Sequence, residues 1–158
     1  MEKKKIIIDY EVIPLDALEG ADADLVTQAR KATYRSYAPY SHFMVGAAIL
    51  LDSGVTVTGS NQENVAFPSG TCAERSACYY AHAQYPDAMF KKIAVAARGT
   101  DGEFVAEPVA PCGACRQALL EYEMLAKALV EVLLVGRDKV FRLPSVASTL
   151  PFAFTDFE

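Results

Sequence analysis

Apolar residues recur at helical spacing in three stretches of the chain. In the first stretch, four residues share one face of a helix: Leu25, Ala29, Ala32 and Thr33. Asp22 precedes them, where negative charge suits the positive end of a helix dipole. The spacing predicts three helices, over residues 22–37, 72–83 and 113–126.

Shorter apolar runs between these helices are typical of buried strands. Two of the runs flank the turn residues 52–54, which predicts a β-hairpin around Gly54. The predicted strands cover residues 43–51, 55–60, 92–97, 130–136 and 139–143. Only a tight turn joins the last two strands. They are therefore predicted to be antiparallel, because parallel neighbours need a crossover of about a dozen residues.

These elements predict an α/β fold with three layers, α/β/α, around a mixed central sheet of about five strands. With 158 residues, 52% of them hydrophobic, the chain has enough apolar material for a core, and we expect a single catalytic domain over 1–158. Residues 1–12 alternate weakly between polar and apolar positions. They are expected to form either an extra edge strand or an arm on a partner subunit.

Charge and cysteine content narrow the function classes. A net charge of -5 disfavours nucleic acid as a partner, because phosphate binding needs a basic surface. The isoleucine run near the N-terminus is too short for a signal peptide or a membrane span, so we expect a cytoplasmic protein. The four cysteines are then expected to be metal ligands, catalytic groups or core residues rather than disulfides.

Two predicted helix starts carry cysteines with the spacing of a metal site. Cys112 and Cys115 are three residues apart, which puts both thiols on one helix face. Cys72 lies at the other helix start and is the natural third ligand, since a helix N-terminus favours a thiolate. Three thiolates with an open fourth position indicate a catalytic Zn²⁺ site, whereas Cys78 is predicted to face the core.

A carboxylate and a guanidinium follow Cys72 in the same predicted turn. Three thiolates leave excess negative charge on a zinc site, and a hydrogen bond from Arg75 to a ligand sulfur offsets it. Glu74 is not predicted to be a ligand. It is predicted to be the catalytic group that accepts a proton from an activated water and passes it on.

The segments "CAER" and "PCGACRQ" resemble the zinc signature of the small homotetrameric cytidine deaminases. The segments "APYSHFMVGAAIL", "GSNQENVAFPSGTCAER" and "LPFAF" extend the resemblance over residues 38–154. The resemblance implies a homotetramer with one Zn²⁺ per subunit. It also implies hydrolytic deamination of cytidine and 2′-deoxycytidine to uridine and 2′-deoxyuridine, with release of ammonia in pyrimidine salvage.

The resemblance also implies roles for substrate-binding residues. Asn61 and Glu63 are expected to bind the ribose hydroxyls, and Phe43 to pack against the base. The backbone at Ala73 is expected to meet the pyrimidine edge. Phe154 is similar to an aromatic residue that reaches the site of a neighbouring subunit.

Three other functions compete with this interpretation. A deaminase of a related small molecule such as blasticidin S shares the zinc signature, but the "NQEN" segment favours a ribose-containing substrate. The acidic charge disfavours a deaminase of polynucleotides. A noncatalytic zinc-stabilised binding module would fill the fourth zinc position and would leave Glu74 without a role.

Overall fold

Six strands and three α-helices form the regular structure of the computed structural model, which describes residues 1–156. In chain order they are β1 (Glu11–Pro14), α1 (Gly20–Ala32), β2 (Met44–Leu51), β3 (Thr56–Ser60), α2 (Ala73–Gln84), β4 (Phe90–Arg98), α3 (Gly113–Ala126), β5 (Glu131–Val135) and β6 (Lys139–Leu143). The prediction for α3 is confirmed at both ends. The first predicted helix was too long, because a short 3-10 helix, Thr33–Arg35, follows α1.

All six strands join one mixed sheet in the order β1-β6-β5-β4-β2-β3. Its β4–β5 pair is parallel and its other four pairs are antiparallel, so the predicted hairpin β2–β3 and the predicted antiparallel pair β5–β6 are confirmed. Within the described part of the chain, no helix has the length and apolar character needed to cross a membrane.

The sheet has six strands instead of the predicted five, and the additional strand is β1. It pairs antiparallel with β6 at the edge of the sheet, where Glu11 lies opposite Arg142 and forms an ion pair with it at 3.0 Å. This strand is the edge strand expected near the N-terminus, but it begins only at Glu11. Its pairing joins residues 131 positions apart, which no local sequence pattern reveals.

Alternating residues of the central strands belong to two different cores, one on each face of the sheet. The core beneath α2 and α3 contains large side chains such as Ile49, Ile93 and Leu134. The core beneath α1 receives small side chains from β2 and β4, namely Ala48, Ala94 and Ala96. Helices therefore cover both faces, which confirms the three-layer α/β/α prediction.

Glycine lets α2 lie directly against β3. A Cβ atom added to Gly59 would lie 2.5 Å from the Ala77 backbone nitrogen and 2.6 Å from the Ala73 carbonyl oxygen. Both of these contacts are backbone atoms of α2, so they cannot rotate away as a flexible side chain would. The absence of a side chain at Gly59 thus sets the position of the helix that follows Cys72.

Replacing Gly59 with alanine is expected to lower the free energy of unfolding by about 1–3 kcal/mol, because the added methyl group must push α2 away from β3. Urea denaturation of the metal-free protein measures this change. Gly113→Ala is the matched control, since nothing lies within 4 Å of the Cβ that it would add. Equal stability of the two variants would contradict the close packing of α2 against β3.

Candidate active site

Three cysteine thiols meet where α2 and α3 begin. Cys72 is the N-cap residue of α2, Cys112 is the N-cap residue of α3, and Cys115 lies in the first turn of α3. All three sulfur atoms lie within 4.8 Å of one another, and those of Cys72 and Cys112 are 3.9 Å apart. Sulfurs that share one tetrahedral zinc at 2.3 Å are separated by roughly 3.8 Å, so the cluster has the dimensions of a single metal site.

Local backbone geometry leaves these thiols free to bind a metal. Cys72 and Cys112 both have extended backbone angles, and neither side chain makes a hydrogen bond that caps its helix. The positive ends of two helix dipoles therefore point toward the same sulfur atoms. That arrangement stabilises thiolates, which are the form that binds zinc.

Hydrogen bonds inside the cluster shift the acidity of its thiols. The pKa of Cys72 is lowered to about 5, first by a hydrogen bond from Cys115 and then, against the effect of burial, by Arg75. The Arg75 Nη2 atom donates to the Cys72 sulfur at 3.7 Å. The hydrogen bond between Cys115 and Cys72 raises the pKa of Cys115, and burial raises it further. Arg75 thus lies beside the sulfur whose charge it was predicted to offset.

The carboxyl group of Glu74 is enclosed by protein next to the thiols. Its residue is only 4% exposed, and burial is the first cause that raises its pKa. The negative charge of Cys72 raises this pKa further, while a hydrogen bond with Cys115 acts in the opposite direction. A carboxyl group in this environment holds a proton more readily than an exposed glutamate, as a group that transfers protons near neutral pH must.

The fourth cysteine, Cys78, is separate from the cluster. Its side chain is fully buried in the core beneath α2 and α3, where its thiol donates to the Arg75 carbonyl oxygen at 3.6 Å. Burial raises its pKa to about 12. These observations confirm the prediction that Cys78 faces the core.

An open cavity of about 540 Å³ adjoins the thiol cluster. Its volume falls in the range of small-ligand sites, which is about 300–1,000 Å³. Cys72 and Arg75 line one part of it, and the segment that follows β3 lines another. The remaining lining residues are Tyr40, Ser41, Asn61, Gln62, Glu63, Asn64, Phe67, Gly70 and Thr71.

Two of the predicted substrate residues, Asn61 and Glu63, line this cavity and also organise its wall. Asn61 accepts a hydrogen bond from the Val45 N–H at 2.8 Å and donates to the Phe43 carbonyl at 2.9 Å. The Glu63 carboxylate accepts hydrogen bonds from the backbone and the hydroxyl group of Ser41. These bonds lower the pKa of Glu63, the hydroxyl contact most. Asn61 thus connects the segment after β3 to the start of β2, and Glu63 connects it to the loop before β2.

Three other predicted substrate residues lie elsewhere. Phe43 is half-buried just before β2, Ala73 is fully buried as the first residue of α2, and Phe154 is 61% exposed near the C-terminus. The Phe154 carbonyl accepts a hydrogen bond from Gln117 at 2.8 Å. Among residues 1–156, the cavity lining does not include these three, nor does it include Glu74.

Sequence reasoning missed the loop that Glu63 holds. Besides its bonds to Ser41, Glu63 accepts a hydrogen bond from the Tyr40 N–H at 2.9 Å, and the Tyr40 ring contacts the Phe67 ring with centroids 6.0 Å apart. The only available signal was the serine in "APYSHF", since serine hydroxyls commonly bond nearby polar groups in turns. Nothing in the local pattern pointed from this loop to residue 63.

Comparison with known proteins identifies the family. Residues 20–131, well over half of the chain, match the family model of the cytidine and deoxycytidylate deaminase zinc-binding region. The chain belongs to the cytidine deaminase family. It is 38% identical over 131 residues to a cytidine deaminase of Sporosarcina psychrophila, an alignment that covers 83% of this chain and 89% of the relative.

Further members of the cytidine deaminase family agree with this result. A cytidine deaminase of Halalkalibacterium halodurans is 36% identical over 131 residues, which cover 83% of this chain and 92% of the relative. The crystal structure of the Burkholderia pseudomallei cytidine deaminase superposes with a TM-score of 0.72 at 36% identity. It covers 85% of this chain and 100% of that protein. The fold is therefore that of the cytidine deaminases.

The cluster of Cys72, Cys112 and Cys115 is a zinc site. The matching family model is a zinc-binding region, and the three clustered thiols are able to hold a metal ion. Thiolate ligands select soft or borderline ions such as zinc over magnesium or calcium. The donor chemistry of the site and the family therefore agree.

The different acidities of the cysteines predict their reactivity. In the folded, metal-free protein near neutral pH, iodoacetamide is expected to alkylate Cys72, whose pKa of about 5 leaves it a thiolate. Cys78, with a pKa of about 12, is expected to react only after unfolding. Peptide mass spectrometry over time measures both rates, and added zinc should protect Cys72. Similar rates for the two cysteines in the folded protein would contradict this assignment.

Proposed function

We propose that this protein hydrolytically deaminates cytidine and 2′-deoxycytidine to uridine and 2′-deoxyuridine and releases ammonia, a reaction of pyrimidine salvage. The observation that carries the proposal is the buried carboxyl group of Glu74 beside three clustered thiols, in a chain that belongs to the cytidine deaminase family. A purely structural zinc site has no use for such a group, because burying an unneeded carboxylate is costly.

In this proposal, Cys72, Cys112 and Cys115 hold one zinc ion per subunit, and their three thiols leave the fourth position open. When bound there, zinc supplies the Lewis acidity that lowers the pKa of a water molecule toward 7. Arg75 donates to the Cys72 sulfur and withdraws part of its negative charge. The helix N-termini at Cys72 and Cys112 act in the same direction.

Glu74 moves the protons of the proposed reaction. Its carboxylate accepts a proton from the attacking water as the C–O bond to carbon 4 of the cytosine ring forms, and it delivers that proton to the adjacent ring nitrogen. It then carries the second proton of the water to the amino group, and the C–N bond breaks as ammonia leaves. Burial of Glu74 supports this role, because a raised pKa lets one carboxyl group both accept and release a proton.

Asn61 and Glu63 bind the ribose hydroxyls in this proposal. Both line the cavity that adjoins the thiols, and an amide and a carboxylate both accept hydroxyl protons. Their hydrogen bonds to the Phe43 carbonyl and to Ser41 keep both side chains in one orientation, which lowers the entropic cost of binding the ribose.

The remaining substrate contacts concern the base and a second subunit. We assign the Phe43 ring to one face of the base and the backbone at Ala73 to the pyrimidine edge, since Ala73 opens α2 beside Cys72. Phe154 is assigned to the active site of a neighbouring subunit in a homotetramer. Its exposure of 61%, together with that of Phe152 at 95% and Phe67 at 76%, supports burial in an assembly.

The proposed setting is a single catalytic domain in the cytoplasm. Cytoplasmic location is supported by the thiol cluster, which must stay reduced to bind a metal. A net charge of -5 supports a small nucleoside over a nucleic acid as the substrate. The family relatives are named cytidine deaminases, so blasticidin S is not the favoured substrate.

Replacing Glu74 with glutamine is expected to leave zinc binding intact and to reduce kcat by about 10²–10⁴-fold, because an amide cannot carry the proton. Cytidine turnover and the zinc content of the purified variant measure the two effects. Glu121→Gln, at an exposed position of α3, is the matched control and should retain full activity. Substantial turnover by Glu74→Gln would show that another group transfers the proton.

Incubation with cytidine, 2′-deoxycytidine and blasticidin S, each separately, tests the reaction itself. We expect the zinc-loaded protein to convert both nucleosides and to release one ammonia per substrate. A chelator-stripped sample is expected to convert neither. Conversion of blasticidin S alone would favour the alternative deaminase. A zinc-loaded protein that converts none of the three would point to the noncatalytic zinc module.

A further inference from the structure

Arg116 connects two backbone segments, one directly before Cys112 and the other near the C-terminus. Its Nε atom donates to the Pro111 carbonyl oxygen and its Nη1 atom donates to the Thr149 carbonyl oxygen, both at 2.7 Å. Pro111 and Thr149 are buried and Arg116 is half-buried, so water competes little for these hydrogen bonds. The guanidinium therefore acts as a two-pronged clamp between positions 111 and 149.

The first prong closes the metal-binding turn on itself. Pro111 immediately precedes Cys112, and Arg116 immediately follows Cys115. The hydrogen bond between them therefore encloses both thiols of α3 in one short loop. Any movement of the Pro111 carbonyl would change the direction in which the Cys112 side chain leaves its helix N-cap.

The second prong ends on a segment that α3 also holds from further along its length. Glu123 accepts hydrogen bonds from the Val146 and Ala147 N–H groups at 2.7 and 3.0 Å. Those groups begin the short 3-10 helix Ala147–Thr149, whose last carbonyl receives Arg116. Arg116 thus binds a segment that Glu123 also holds by hydrogen bonds. The C-terminal segment nearby is bound by Gln117, which donates to the Phe154 carbonyl.

We propose that Arg116 is a positioning residue for the metal centre, and that it aligns Cys112 with Cys115 by tying the Pro111 turn to the segment around Thr149. Arg116 is not among the described residues that line the cavity, and it acts through two backbone carbonyls. The link to catalysis rests on the proposed function, whereas the link to metal binding does not.

Zinc affinity tests the proposal directly. Competition with a chromophoric chelator is expected to show roughly tenfold weaker zinc binding by Arg116→Ala, in the range seen when groups that orient metal ligands are removed. Arg116→Lys should restore part of the affinity, because one ammonium group can reach one carbonyl but lacks the two-pronged geometry. Arg137→Ala is the matched control, since Arg137 donates to the Phe104 carbonyl at 3.1 Å outside the thiol cluster.

Thermal unfolding separates positioning from ordinary stabilisation. A positioning role predicts that Arg116→Ala loses part of the extra Tm that zinc confers on the wild type. A merely structural role lowers Tm equally in the metal-free and zinc-loaded forms and leaves zinc affinity unchanged, which would overturn the proposal. If Arg116→Ala fails to fold, Arg116→Lys decides by the same comparison.

The support at Glu123 provides a second test. Glu123→Gln is expected to weaken zinc binding in the wild type but to add little in an Arg116→Ala background, since the clamp is already lost. Fully additive effects would contradict transmission through Thr149. Wild-type protein that binds zinc without deaminating nucleosides would refute the proposed function alone, because none of these zinc measurements depends on turnover.

Discussion

The convergence of two helix N-termini on three sulfur atoms is the constraint on which the rest of the structure depends. Thiolates repel one another at the distances seen here, so the cluster is stable only where positive charge gathers. The dipoles of α2 and α3, the Arg75 guanidinium and a metal ion supply that charge. Both helices lie on the same face of one sheet, whose larger side chains form the core beneath them. The packing of both helices on the sheet therefore brings the cysteine ligands together, without a separate structural element for the metal site.

Two different kinds of contact hold this convergence in place. Against the sheet, α2 is located by the missing side chain of Gly59, which allows backbone to meet backbone. The other helix, α3, is held by hydrogen bonds of its own side chains. Arg116 binds a backbone group that precedes α3, and Glu123 binds one that follows it. Steric contact thus positions one half of the cluster, and directed hydrogen bonds position the other.

Local patterns in the sequence predicted the elements from short spacings, and they predicted the cluster because its cysteines lie at two predicted helix starts. The interval between Cys112 and Cys115 and the helical run that follows them were enough to predict α3 correctly. The contacts that were missed join distant positions. The pairing of β1 with β6, the bond from Arg116 to Thr149 and the loop held by Glu63 all depend on how the sheet is assembled. Hydrophobic periodicity carries no information about such partners.

The position of the ligands along the chain gives the metal site a second physical role. Cys72 and Cys112 are 40 residues apart, and the intervening chain contains the whole of β4, a central strand. An ion bound to both ends closes this stretch into a loop, and loop closure removes conformational entropy from the unfolded chain. A zinc ion bound in this family member therefore cross-links the chain in addition to supplying Lewis acidity. It joins the two halves of the sheet without a disulfide, through the same sulfur atoms that serve the chemistry.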